Sequence, residues 1–249
     1  ILSGQLVQVA YISTAFAGGD RSGIVGENEF PKPRRFANTY EQTKWEAEKY
    51  VRTMMARLPI AIFRPSIVVG DSKTGRTLAF NVMYTPLHYI YRGTLSVLPC
   101  HPENTLDVVP LDYVADSICR IFLGRPDATG HTYNIVAGDK AESVEFIVEY
   151  AMRFFNSNDK HQTVNRIRFI APLIYRTLHH LVRGKMRRMA DIFCIYEPYI
   201  CASRKFDDVN TRCALRGSGL TVPKLKSYFG IILNYCIKSN WGKKVKQAG

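Results

Sequence analysis

Apolar positions along this chain change period several times, and each change marks an element. Val7-Gln-Val-Ala-Tyr-Ile-Ser-Thr14 is mostly apolar and β-branched, which predicts a buried strand ending in two hydroxyls. From Asn38 the step becomes three and four. Tyr40, Thr43, Lys44, Ala47, Val51, Met54 or Met55, and Leu58 then share one helical face. Glu41, Glu46, Glu48 and Arg52 lie off that stripe, with Glu48 and Arg52 as a favourable i, i+4 pair. Asn38 or Thr39 caps the start, and Pro59 blocks continuation. Ile60-Ala-Ile-Phe63 is a second short apolar strand, followed by Arg64-Pro65-Ser66-Ile-Val-Val-Gly70.

Downstream the alternation continues. Thr77 to Arg92 predicts a helix interrupted near Pro86, and Leu95–Leu98 and Thr105–Val109 predict short strands, the second ending at Pro110. Asp112 to Leu123 predicts a helix with Val114, Ile118, Ile121 and Phe122 inward. Gly130 to Val136 predicts a strand. Ser143 to Phe155 predicts a helix burying Val144, Ile147, Val148, Ala151 and Phe155. Strands alternating with helices imply an α/β fold with a parallel sheet. Gly18 to Ala37 breaks the pattern with Gly18, Gly19, Gly23, Gly26, Pro31 and Pro33, and reads as a loop or lid-like excursion. Asp107 and Asp112 are candidate catalytic carboxylates, but capping of helices and pairing with nearby backbone is the stronger reading.

Within the first long helix, Tyr40 and Lys44 are one turn apart and point the same way. An ammonium near a phenol favours the phenolate and lowers a pKa normally about 10, which suits the phenol to acid–base work. Tyr-x-x-x-Lys alone is a weak signal. Its context is more specific: a hydroxyl-ended strand, a loop, the helix, then a strand running into Arg-Pro-Ser. This order resembles the extended short-chain dehydrogenase/reductase superfamily. Ile12-Ser-Thr-Ala-Phe16, Phe63-Arg-Pro-Ser-Ile-Val-Val-Gly70 and Leu106-Asp-Val-Val-Pro-Leu-Asp-Tyr-Val-Ala-Asp116 are similar to the fatty acyl-CoA reductase and thioester reductase group. Tyr196-Glu-Pro-Tyr199 and Phe206-Asp-Asp-Val-Asn-Thr-Arg212 resemble it less specifically.

That resemblance implies a fold, a reaction and a site. The fold is a Rossmann-like parallel sheet, incomplete at its N-terminal side, with a mostly helical C-terminal part on the substrate side. The reaction is reduction of an acyl thioester, carried by coenzyme A or a carrier protein, to an aldehyde or alcohol. The resemblance implies NADPH, with NADH as the alternative. Thr14, Tyr40 and Lys44 fall where the family has its catalytic hydroxyl–tyrosine–lysine triad. Tyr40, Lys44, Pro65, Ser66 and Ile67 fall on the cofactor side. The segment after the hydroxyl strand borders the substrate entrance in that family. A Gly-x-x-Gly-x-x-Gly turn opening a helix, the usual pyrophosphate seat, does not occur in this sequence. The expectation is therefore the later part of a longer reductase, inactive on its own. Rival readings are another extended dehydrogenase acting on a sugar nucleotide or a sterol-like alcohol, and a non-catalytic remnant that binds a lipid surface or a partner.

Charge changes the picture only at the C-terminal end. Residues 1–159 carry 16 Lys and Arg against 17 Asp and Glu, whereas residues 160–249 carry 18 against 4, so the whole net charge of +13 lies in the last 90 residues. We expect residues 1–159 to form the later part of the NAD(P)-binding domain and residues 160–249 a basic, mainly helical part. The run Ile167 to Arg188 mixes large apolar residues with cations, ending in Arg183, Lys185, Arg187 and Arg188. Such a stretch suits an anionic membrane surface or the phosphates of a coenzyme A or carrier-protein thioester. No nucleic-acid-binding signature accompanies the charge, and nucleic acid is not expected as a partner. Six cysteines at irregular spacing, without Cys-x-x-Cys, read as reduced thiols. His179 and His180 are adjacent and have no accompanying carboxylates, so no metal site is expected. No apolar run approaches the 18 or so residues of a membrane span, and no secretory signal opens the chain. The expected location is cytoplasmic or at a membrane periphery.

Overall fold

The computed structural model describes residues 6–19, 23–30, 32–33, 35–158, 166–173, 197, 199–200 and 204–243. In chain order these form β1 (Val9–Ile12), β2 (Gly23–Val25), α1 (Thr39–Met54), β3 (Ile60–Pro65), β4 (Ile67–Val69), α2 (Tyr84–Tyr91), β5 (Val97–Leu98), β6 (Thr105–Leu106), β7 (Val108–Pro110), α3 (Leu111–Gly124), β8 (Thr132–Ile135), β9 (Glu142–Ser143), α4 (Val144–Asn158), β10 (Arg168–Phe169), β11 (Arg204–Phe206), α5 (Val209–Ala214) and α6 (Leu225–Lys238). His179, His180, Cys194, Cys201 and the cations Arg183, Lys185, Arg187 and Arg188 lie outside the described residues. The chain folds into two compact units built from interleaved segments.

The first unit takes residues 1–68, 107–140 and 204–223. Its centre is a parallel sheet in the order β1-β3-β8. β3 is the middle strand, and all six of its residues are buried. That is why Ile60-Ala-Ile-Phe63 reads as an unbroken apolar run: both faces of the strand are covered. β1 pairs with β3 from Val9↔Ile60 to Ile12↔Phe63. It is shorter and less buried than expected, with Ile12 42% exposed, because among the described residues it has a hydrogen-bonded neighbour on one side only. The expected loop from Gly18 to Ala37 also contains a strand. β2 pairs in parallel with β11, from Gly23↔Arg204 to Val25↔Phe206. The partner is about 180 residues away, so no local pattern signals it.

The helices correct the reading of their faces. α1 begins where Asn38 Oδ1 accepts from the Glu41 amide at 2.9 Å, an ordinary N-cap. Its buried residues are Glu41, Trp45 and Glu48, not the Tyr40–Lys44–Ala47–Val51 stripe that hydrophobic spacing suggested. Two of the three are acidic, so apolar periodicity could not find this face. Trp45 stacks on Phe30 at 5.5 Å and meets Phe36 at 5.8 Å. α3 buries Tyr113, Val114, Ser117 and Ile121, leaving the expected Ile118 and Phe122 half-buried. The strand expected over Thr105–Val109 is two strands, parted at Asp107.

The second unit takes residues 69–106, 141–203 and 224–249. Its helices match the sequence closely in α4, where Val144, Ile147, Val148, Ala151 and Phe155 are the buried residues. α2 is half the expected length. Pro86 sits in its first turn, where its missing N–H has no partner to lose. α6 buries Tyr228, Phe229, Ile232, Leu233 and Cys236, and Phe229 meets Tyr150 of α4 at 5.2 Å. The turn before α2 presses against α6. Gly75 has φ +73°, and an added Cβ would lie 2.6 Å from the Ile231 carbonyl oxygen and 2.7 Å from Tyr235 Cβ. Both the backbone conformation and the space require glycine there. Gly75→Ala should destabilise the protein by about 1–3 kcal/mol, measured by urea unfolding. An unchanged midpoint would show that the turn moves freely away from α6.

Candidate active site

The candidate residues all lie in the first unit. They gather where the sheet strands end at their carboxyl edge, the usual ligand side of an open α/β sheet. β1 ends at Ile12 and runs into Ser13 and Thr14, both buried. Thr14 opens a short 3-10 turn over Ala15–Gly18, and its Oγ1 accepts from the Phe16 amide at 3.3 Å. The same hydroxyl donates to the Pro65 carbonyl at 3.4 Å. Thr14 is thereby held against the end of β3, beside Ser66.

Tyr40 stands in the first turn of α1 and is 50% exposed. Lys44, one turn on, reaches across to β1, where its Nζ donates to the Ile12 carbonyl at 3.3 Å. Helix spacing brings Tyr40 and Lys44 to one side, as expected, and this bond ties that side to the hydroxyl strand. A second phenol, missed in the sequence, is close by. Tyr11 of β1 has its pKa raised, first by burial and then by the negative fields of Glu48 and Tyr40. Pro65 and Ile67 flank Ser66, and Ser66 and Ile67 are buried. Ser66 Oγ makes no hydrogen bond of good geometry among the described residues, although it is near enough to Asp107 to oppose the rise in that carboxyl's pKa.

Behind these residues lies a charged cluster that hydrophobic patterning could not reveal. The Glu48 carboxylate is fully buried. It accepts from Ser13 Oγ at 2.6 Å, from Arg52 Nε at 2.9 Å, and from Arg64 Nη2 at 2.5 Å and Nε at 3.0 Å. Arg52 also donates to Thr132 Oγ1 of β8 at 2.9 Å, and Arg64 to the Glu29 carbonyl at 3.3 Å. Phe30 lies under both guanidinium groups, 4.6 Å from that of Arg52 and 5.4 Å from that of Arg64. The Glu48–Arg52 spacing was visible in the sequence, but it looked like a surface pair worth a few tenths of a kcal/mol.

Besides Glu41, two further carboxyls are buried, Asp107 and Glu27. Asp107 sits between β6 and β7 and accepts from the Ala137 and Gly138 amides at 2.8 and 2.9 Å. It clamps the chain after β8, and Asp112 lies in the first turn of α3. Asp107 pairs with backbone as the sequence reading favoured, though with amides about thirty residues on, and α3 starts without a side-chain cap bond. Burial pushes the Asp107 carboxyl up to about 6, against the pull of those two amides. Glu27 accepts from the Asn134 amide at 2.8 Å, from the Thr211 amide and hydroxyl at 3.1 and 2.8 Å, and from the Asn210 amide. Burial likewise raises it to about 6. Among the described residues no group of His, Cys, Asp and Glu could hold a metal ion, and no helix is long and apolar enough to cross a membrane.

These residues suit the nicotinamide and ribose end of a dinucleotide. A half-exposed phenol, an ammonium one turn away and a buried hydroxyl without a good partner sit together at strand ends. Among the described residues, Gly18 closes a 3-10 turn and Gly23 opens β2, so neither begins a helix that could seat a pyrophosphate.

A parallel sheet with a helix packed beside a hydroxyl-ended strand is a Rossmann-like arrangement, and solved reductase domains share it. Residues 2–118 match the family model described as male sterility protein, an NAD-binding family. It is 27% identical over 231 residues to aldehyde reductase lnaA of Aspergillus flavus, covering 86% of this chain and 21% of that protein. It is 23% identical over 223 residues to probable fatty acyl-CoA reductase 5 of Arabidopsis thaliana, covering 74% and 45%. The terminal R domain from the myxalamid PKS-NRPS biosynthetic pathway superposes with a TM-score of 0.74 at 23% identity, covering 94% of this chain and 59% of that one. The chain thus spans less than half the length of these two curated relatives.

Two outcomes test the buried charges. Arg64→Met leaves the buried Glu48 with one guanidinium in place of two. It should cost about 3–5 kcal/mol, read by chemical denaturation; a loss under about 1 kcal/mol would show that Arg52 alone compensates Glu48. For Asp107 the folded pKa of about 6 exceeds the ordinary 3.8, so the native state keeps a proton that the unfolded chain has released. The stabilisation this gives is complete below pH 3.8 and is lost as pH rises through about 6. Asp107→Asn should flatten the stability–pH curve in that window, and an unchanged slope would contradict the assignment.

Proposed function

We propose that this chain is the catalytic part of an NADPH-dependent reductase that converts an acyl thioester, on coenzyme A or a carrier protein, to the aldehyde or on to the alcohol. The observation that carries this is the Lys44–Ile12 contact. It brings the Tyr40 turn of α1 to the end of the hydroxyl strand, beside Thr14, Pro65 and Ser66. The family match and the relatives named aldehyde reductase and fatty acyl-CoA reductase support a reductase over an epimerase.

The chain's own residues divide the work. When bound, the nicotinamide supplies hydride to the carbonyl carbon. Tyr40, exposed toward solvent at the strand ends, donates a hydrogen bond and then a proton to the developing oxyanion. Thr14 exchanges its long bond to Pro65 for a second bond to that oxygen. Lys44 holds the ribose hydroxyls, and Pro65, Ser66 and Ile67 line the ring. The C–S bond then breaks, the hydroxyl proton passes to the departing sulfur, and the aldehyde is released with the free thiol on its carrier.

Tyr40→Phe in the full-length protein should slow the chemical step by about 10²–10⁴-fold, the usual scale of general acid catalysis, with the fold intact by circular dichroism. Turnover is followed as aldehyde and free thiol released from an acyl thioester. Near-normal turnover by the folded variant would remove Tyr40 from its role, and a ketone or epimerised sugar as the product would remove the thioester.

A further inference from the structure

The candidate groups arrive from three separate segments: Thr14 after β1, Tyr40 and Lys44 on α1, and Pro65 and Ser66 after β3. One side chain is bonded to all three segments. Ser13 immediately precedes Thr14 and donates to Glu48 at 2.6 Å. Arg64 immediately precedes Pro65 and donates to Glu48 through Nε and Nη2. Glu48 itself lies one helical turn beyond Lys44 and two beyond Tyr40. We propose that Glu48 is the positioning residue of this site, fixing the hydroxyl, the Tyr–Lys pair and the Pro-Ser segment relative to one another through Ser13 and Arg64. The proposal rests on the reading of Thr14, Tyr40 and Lys44 given above.

The chemistry of the cluster suits positioning rather than catalysis. Glu48 is fully buried and its bonds go to Ser13, Arg52 and Arg64, so it touches none of the reacting groups. Charge-assisted bonds to a guanidinium are short and directional, so they fix angle as well as distance. Apolar contacts between α1 and the sheet would permit sliding along the helix axis, which moves Tyr40 past Thr14. A slip of about 1 Å in such a site costs roughly 10²-fold in rate. The contact between Arg52 and Thr132 anchors the same cluster to β8, the third strand of the sheet. The carboxylate therefore cannot follow the helix if the helix shifts.

The test uses the full-length protein and four variants. Glu48→Gln is the direct change, but it leaves the buried Arg64 and the half-buried Arg52 guanidinium groups short of charge and can prevent folding. Ser13→Ala removes the bond to Glu48 and leaves every charge in place, so it decides the question if Glu48→Gln fails to fold. We expect Ser13→Ala to lower kcat about ten-fold, inside the roughly 10²-fold that a 1 Å misplacement costs, with KM for the thioester and the melting temperature nearly unchanged. In a double-mutant cycle, Ser13→Ala should add almost nothing to Thr14→Val, because both act on the same hydroxyl. A purely structural Ser13 predicts a lower melting temperature with full kcat per folded molecule, and a kcat loss that adds in full to that of Thr14→Val would show that Ser13 does not act through the Thr14 hydroxyl. Either of the last two results overturns the proposal. Tyr40→Phe run in parallel separates the two levels. If Tyr40→Phe is slow and Ser13→Ala is fast, only the positioning role is wrong. If Tyr40→Phe runs at full rate, the site reading fails and this inference falls with it.

Discussion

The first unit depends on one buried carboxylate. Glu48 bonds to β1 through Ser13 and to β3 through Arg64, and Arg52 extends the link to β8. The three strands of the sheet and the helix packed on them are thus joined at one point. Taking a carboxylate and two guanidinium groups out of water is expensive, and it is tolerated only when nearly every donor and acceptor is matched. That requirement makes the arrangement specific. A shift of α1 by a fraction of a turn would leave charge unpaired in a dry interior, so few alternative packings compete. The aromatic ring of Phe30 under both guanidinium groups, itself stacked on Trp45, closes the cluster on one side.

The C-terminal segment in the same unit obeys the same logic with different chemistry. It returns as β11 beside β2 and then as α5 beside β8. Glu27 receives the Asn210 and Thr211 amides at the start of α5, where a helix has unpaired N–H groups and a partial positive charge. Asp107 receives two amides after β8. Buried acids at these points replace the water that exposed backbone would otherwise bind. Burial raises both carboxyls to about 6, so the packing of these two loops is sensitive to acidity near neutrality.

The candidate site combines these constraints with an exposed edge. Thr14 and Ser66 are buried, whereas Tyr40 is half exposed and Lys44 spans from helix to strand. Rigid strand ends supply the hydroxyls and the first turns of a helix supply the phenol and ammonium. Such an arrangement holds reactive groups in fixed relation without burying the ones that must meet a substrate. The reductase reading draws on that contrast as much as on the residue types.

Local sequence determined the elements whose partners are near in the chain or whose faces are apolar. α4 was legible to the residue because five apolar side chains at three- and four-residue steps are its buried face. β3 was legible because a strand covered on both sides must be apolar throughout. Asn38 was one of two caps the sequence offered, and the spacing of Tyr40 and Lys44 put them one helical turn apart. Three things only the tertiary structure decided. Pairing of β2 with β11 joins segments about 180 residues apart, and no short-range pattern encodes a partner that distant. The inward face of α1 is acidic, so it became a buried face only when Arg64, twelve residues past Arg52, folded back against it. The length of α2 turned on whether Pro86 would interrupt a helix or begin one, and packing placed it in the first turn, where its missing N–H costs nothing. Sequence periodicity reports what avoids water; where burial is bought by charge pairing, the pairing partner has to be in place before the pattern means anything.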